Sequence, residues 1–173
     1  MGLLIIAAAI PISNYCRRKL IDDIGPYMNR GIAYCFVGKF DEAFSDFGKV
    51  IYYDPKNFNV FCNRGNLYDM RGMLDSALAD YSNAILISPD YAEAFFNRGN
   101  TYIKKKEFNL AISDFNSVLL YEPTNEGAYY SRSQAYKGLH DYAKALQDAT
   151  TAQQMGKSID VNYIHDLQLL MAK

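Results

Sequence analysis

The sequence predicts an all-α protein assembled from repeated helix pairs, and three observations lead there. Short segments of one type recur at a fixed interval: "NRGIAY" from Asn29, "NRGNLY" from Asn63, "NRGNTY" from Asn97 and "SRSQAY" from Ser131, each 34 residues after the last. Other positions keep the same step, namely Tyr34, Tyr68, Tyr102 and Tyr136, then Ala43, Ala77, Ala111 and Ala145, then Pro55, Pro89 and Pro123, with Lys157 in the fourth slot. Within each copy the apolar residues fall three and four apart, the spacing of a helix face. A period of this length marks stacked units, none of which can bury its apolar side alone.

The elements follow in chain order. Residues 1–23 carry the run "GLLIIAAAIPI" from Gly2 to Ile12. A bilayer core requires about 20 apolar residues in a helix, so the run is too short to cross one. A secretory signal places positive charge before its apolar stretch, whereas Arg17, Arg18 and Lys19 come after it, and the myristoylation pattern fails at Ile6. Ala9 lies one period before Ala43, which suits a degenerate helix capping the first repeat. A trimmed membrane anchor within residues 1–19, or an apolar arm that docks in another chain and drives self-association, stays open beside it.

Four repeats are expected at 24–57, 58–91, 92–125 and 126–159. In the third, Phe95, Gly99 and Tyr102 share one face of a first helix. After a turn around Lys106, Phe108, Ala111, Ile112, Phe115, Val118 and Leu119 share one face of a second helix, which Pro123 stops. Gly156 closes the last of these, Ser158 or Asp160 caps a new helix, and Val161, Ile164, Leu167, Leu170 and Met171 form its apolar side. Residues 160–173 are thereby expected to cover the end of the array.

Two residues inside the stripe need a reason. Glycine in a helix costs about 1 kcal/mol relative to alanine, so Gly31, Gly65 and Gly99 imply close approach, with Ala43, Ala77 and Ala111 as the expected small partners. Ser133 stays small but brings a hydroxyl. Arg30, Arg64, Arg98 and Arg132 are each followed 16 residues later by Asp46, Asp80, Asp114 and Asp148. That fixed spacing predicts a partly buried ion pair across the two helices, setting register more than adding stability, because desolvation offsets attraction.

A formal charge of -1 and a pI near 6.1 exclude a nucleic-acid binder, and the one basic run, Lys104 to Lys106, reads as a solvated helix end. Cys16, Cys35 and Cys62 lack metal or disulfide spacing and read as reduced thiols of a cytoplasmic protein. His140 and His165 stand without acid, thiol or ligand companions, and neither a phosphate-cradling loop nor a nucleophile motif is present. No enzymatic activity, cofactor or metal is expected.

These residues resemble the tetratricopeptide repeat (TPR) family over residues 24–159. The third copy supplies Phe95, Gly99, Tyr102, Ala111, Phe115, Val118 and Pro123 at the places of that family's pattern. It departs from the pattern at Arg98, where leucine is usual, and at Asp114, where an aromatic is common. The fourth copy drifts further, with Ser131, Ser133, Ala149 and Lys157.

The resemblance implies a right-handed solenoid whose first helices line a concave groove. It implies a non-catalytic module that binds a protein or peptide there. On those helices Asn63 and Asn66, and Asn97 and Asn100, form pairs three residues apart, each on one face. Carboxamides both donate and accept, which suits the backbone of an extended guest, although Asn63 and Asn97 could equally bond within the scaffold. Met70, Phe96, Ile103 and Tyr130 would add apolar surface, Lys104 a charge at one edge, and Gln134 a further polar group. A clamp for acidic chaperone tails is not expected, since Cys62, Gly127 and Ser131 occupy its basic places.

Overall fold

The computed structural model describes residues 24–172. The three readings of the N-terminal segment fall on residues 1–23 and lie outside the described residues, among which there is no strand. The described residues divide into two compact units between Lys56 and Asn57.

In the first unit, α1 (Ile24–Phe36) and α2 (Phe40–Tyr53) form a hairpin around Gly31, Ala43, Phe47 and Val50. In the second, three hairpins follow: α3 (Phe58–Met70) with α4 (Leu74–Ile87), α5 (Ala92–Lys104) with α6 (Phe108–Tyr121), and α7 (Glu126–Gly138) with α8 (Tyr142–Gln154). Each packs on the next, the first helices α3, α5 and α7 also touching in series, and α9 (Val161–Met171) closes the row against α8.

Local sequence explains the boundaries. Asn57 and Asn125 cap α3 and α7 by accepting from the amides of Val60 and Ala128, and Asp141 and Asp160 do the same for α8 and α9. Every hairpin turn needs one residue with left-handed backbone: Gly38 and Gly72 at φ 74° and 72°, then Lys106 and His140 at 61° and 62°. Glycine takes that conformation without steric cost and the other two do not.

The helical glycines have a different partner from the one expected. A Cβ added at Gly31, Gly65 or Gly99 would stand 2.7, 2.7 or 2.8 Å from the ring of Phe47, Tyr81 or Phe115. The close approach is of backbone to an aromatic 16 residues on, whereas Ala43, Ala77 and Ala111 are buried without being that partner. In the fourth hairpin the exchange runs both ways: Ser133 replaces glycine and Ala149 replaces the ring. The Ser133 hydroxyl, fully buried, shares a 2.8 Å hydrogen bond with Tyr163 of α9.

All four expected ion pairs form, each with two hydrogen bonds from the guanidinium to both carboxylate oxygens, as with Arg98 Nε and Nη2 at 2.8 and 2.7 Å from Asp114. Each guanidinium also lies within 6.0 Å of two ring centroids on its own helix, three residues before and four after, such as Phe95 and Tyr102 around Arg98. Arginine therefore belongs in the apolar stripe: its planar cation stacks between aromatic faces while its fork meets a buried carboxylate. Arg98 and Arg132 reach further, donating to Ser82 and Asn116 of the preceding hairpin at 3.0 and 2.6 Å.

The end cover is narrower than expected. Leu167 is fully buried and packs with Ile159, Tyr163 and Ile164 against Ala145, Ala149 and Ala152, whereas Val161 and Met171 are exposed. Val161 stands at the first position of α9. No described helix is long and apolar enough to cross a membrane.

Candidate functional site

In the second unit, the first helices converge on one open cavity of about 590 Å³. From α3 it receives Asn66, Asp69 and Met70, from α5 Glu93, Asn97, Asn100, Ile103 and Lys104, from α7 Gln134, and its floor is Tyr81 of α4. The spacing that places Asn66, Asn100 and Gln134 there is the repeat period itself. One residue per turnover of the array lands on the same face.

Seven of the residues that sequence analysis singled out share this cavity: Asn66, Met70, Asn97, Asn100, Ile103, Lys104 and Gln134. Asn63, Phe96 and Tyr130 are outside its lining. Phe96 packs edge-on against Phe115 at 5.9 Å and lines a neighbouring hollow of about 330 Å³ with Ala92, Glu93, Glu122 and Asn125. Tyr130 packs edge-on against Tyr163 at 5.5 Å, beside the core under α9. Aromatic size alone could not distinguish groove from core: both rings are half-buried against neighbouring rings, and Phe96 keeps a face on the hollow.

The asparagines split by role. Asn97 donates to the Asn66 carboxamide oxygen at 3.0 Å and to Cys62 Sγ at 3.6 Å, and the Tyr81 hydroxyl donates to the same Asn66 oxygen at 2.8 Å. Asn66 and Asn97 thus tie α3, α4 and α5 together. The Asn100 and Gln134 carboxamides have no hydrogen bond within the described residues and open into the cavity.

Lys104 is not a free positive charge, because it pairs with Asp69, whose other oxygen accepts from Thr101 at 3.0 Å. Sequence analysis missed Asp69, Tyr81 and Glu93. A signal for Tyr81 was available, since its hydroxyl appears where the first and third copies carry Phe47 and Phe115.

Burial pushes the Cys62 thiol up to about 12 and lifts the Tyr81 hydroxyl above its ordinary value. Both are neutral at physiological pH, so Tyr81 at the cavity floor offers a hydrogen bond rather than charge. At its upper edge Glu93 is exposed, with the Tyr91 hydroxyl donating to it at 2.6 Å. The described residues contain no group of three or more His, Cys, Asp or Glu placed to hold a metal ion.

A row of helix hairpins stacked through small residues and rings, open along its first helices, defines the class of α-solenoid repeat proteins. Family profiles described as "Tetratricopeptide repeat" match residues 24–57, 47–79 and 92–125, and one described as "TPR repeat" matches 70–106. The chain belongs to the tetratricopeptide repeat family.

No curated protein matches it by sequence. Among solved structures, MamA residues 41 to the end from Desulfovibrio magneticus RS-1 is 18% identical with a TM-score of 0.78, over 87% of this chain and 85% of that one. A tetratricopeptide repeat protein from Parabacteroides merdae is 21% identical with a TM-score of 0.77, over 89% and 61%. The first TPR of Spaghetti (RPAP3), bound to the HSP90 peptide SRMEEVD, is 23% identical with a TM-score of 0.66, over 69% and 97%. At these identities the likeness is one of fold.

Proposed function

We propose that this protein is a non-catalytic interaction module that holds a peptide or helical segment of another protein along α3, α5 and α7. One observation carries the reading: polar and apolar side chains from three successive first helices meet in one open cavity, with two carboxamides, Asn100 and Gln134, left unbonded. Such groups donate to and accept from a guest's backbone, and Met70, which is 63% exposed, with Ile103 supplies apolar surface beside them. Membership of a repeat family whose scaffolds expose long binding surfaces supports the same reading. So does the peptide-bound state of one solved neighbour.

The test compares proteins retained by immobilised wild type and by Asn100→Ala/Gln134→Ala. Losing two guest hydrogen bonds should weaken groove partners about tenfold, while the melting temperature stays unchanged because neither carboxamide bonds to the scaffold. Indistinguishable partners for the two proteins would remove the groove reading.

A further inference from the structure

We propose that the segment received by this groove is a basic one, seated with a lysine or arginine against Glu93. The inference rests on the groove reading above and adds the chemistry of the guest.

Among the described residues Lys104 is the one cation that lines the cavity, and it is committed, as are the arginines of the same helices; Lys137 of α7 is outside the lining, over the Tyr163 ring at 4.8 Å. Lys104 is paired with Asp69, Arg64 with Asp80, Arg98 with Asp114 and Arg132 with Asp148. Glu93 is different. It is exposed, lines both the main cavity and the adjoining hollow, and no lysine or arginine pairs with it among the described residues. The hollow contains a second carboxylate, Glu122, which accepts a hydrogen bond from the neutral carboxamide of Asn125 at 2.7 Å. Of the three carboxylates that line these two neighbouring cavities, Asp69 is paired with Lys104, while Glu93 and Glu122 have no lysine or arginine partner among the described residues.

Of the three places that would have to be basic in a clamp for an acidic guest, two are buried and the third, Gly127, carries no side chain. Cys62 is 1% exposed with its thiol held neutral, and Ser131 is 7% exposed. An entering carboxylate would lose hydration, find no charged donor and face Glu93. A lysine or arginine gains the opposite: a carboxylate partner at the cavity rim and, for arginine, the nearby Phe96 ring as a stacking face. The unbonded carboxamides of Asn100 and Gln134 then take the guest's backbone.

Glu93 also stands in the first turn of α5, where a negative charge suits the helix dipole. A dipole role alone leaves guest selection unchanged, which separates the two. A random library of short peptides displayed on phage is panned against full-length wild type, Glu93→Gln and Asn100→Ala/Gln134→Ala. Wild type should enrich lysine and arginine over the input library and deplete aspartate and glutamate. A synthetic copy of the most enriched sequence should bind Glu93→Gln about tenfold more weakly, with loss of the salt dependence that wild type shows. Enrichment of uncharged or acidic sequences, or equal affinity for Glu93→Gln, overturns the basic-guest inference; if Asn100→Ala/Gln134→Ala still weakens binding, the groove reading stands. Binding that ignores the double variant, or no enriched sequence, overturns the groove reading and this inference with it.

Discussion

The third and fourth hairpins solve one packing problem in two ways. Between α5 and α6, Gly99 lets the Phe115 ring lie against helix backbone, and a Cβ there would stand 2.8 Å from the ring. Between α7 and α8 the ring is gone, Ala149 takes its place, and the space goes to Ser133, whose hydroxyl is bonded to Tyr163 of the terminal helix. The lesson is that the two positions form one unit of volume. What reads as drift from the repeat pattern is a coupled exchange, and the hydroxyl it introduces ties the last repeat to its cover.

The comparison can be broken most forcefully at Phe115. Phe115→Ala should cost about 3 to 4 kcal/mol, from lost burial and the cavity left behind. Adding Gly99→Ser, which rebuilds the fourth hairpin's pair, should make the double variant at least about 1 kcal/mol more stable than additivity allows. Denaturant melts of the four proteins check this.

Arg98→Leu should cost about 3 kcal/mol, because Asp114 is 4% exposed and would remain as an uncompensated buried carboxylate. Arg98→Leu/Asp114→Tyr, the pairing usual in the family, should recover much of the loss, and additive costs would show that the two side chains do not act together. Tyr163→Phe is milder, at about 1 kcal/mol for one buried hydrogen bond, and Ser133→Gly/Tyr163→Phe should show it to be coupled.

The smallest effect is one of pH in the first hairpin. Two hydrogen bonds from Arg30, with a further bond from Lys49, hold the Asp46 carboxyl below the ordinary carboxylate range. A depressed folded-state value means the contribution is complete above the unfolded value, about 4, and is lost as pH falls through the folded one. The melting-temperature gap between wild type and Asp46→Asn should be constant near neutrality and close below that range. A gap that widens in acid would reverse the assignment.

Much of the fold was legible because a solenoid repeats its instructions. The fixed step of Tyr34, Tyr68, Tyr102 and Tyr136 exposed the unit, and the constant arginine-to-aspartate interval exposed a contact between helices that single-copy reading would have missed. The partner of Gly99 was misjudged because spacing ranks residues by position and not by reach: Ala111 is on the same face, but the Phe115 ring extends to the backbone. The groove was legible in part for the same reason. Asn66, Asn100 and Gln134 repeat in step, so their common face could be read. Which of them bonds inward depends on Tyr81 and Asn97, whose side chains meet Asn66 from two other helices. The pairing of Lys104 was not legible because its partner Asp69 lies one repeat and one residue away, out of step with the period.

The most direct test of the account is to add a captured partner segment to isotopically labelled protein and follow the side-chain amide signals by NMR. The account predicts that the Asn100 and Gln134 signals shift while those of Asn83 and Asn109, exposed on the second helices α4 and α6, stay in place. Shifts confined to Asn83 and Asn109, with Asn100 and Gln134 unmoved, would contradict it.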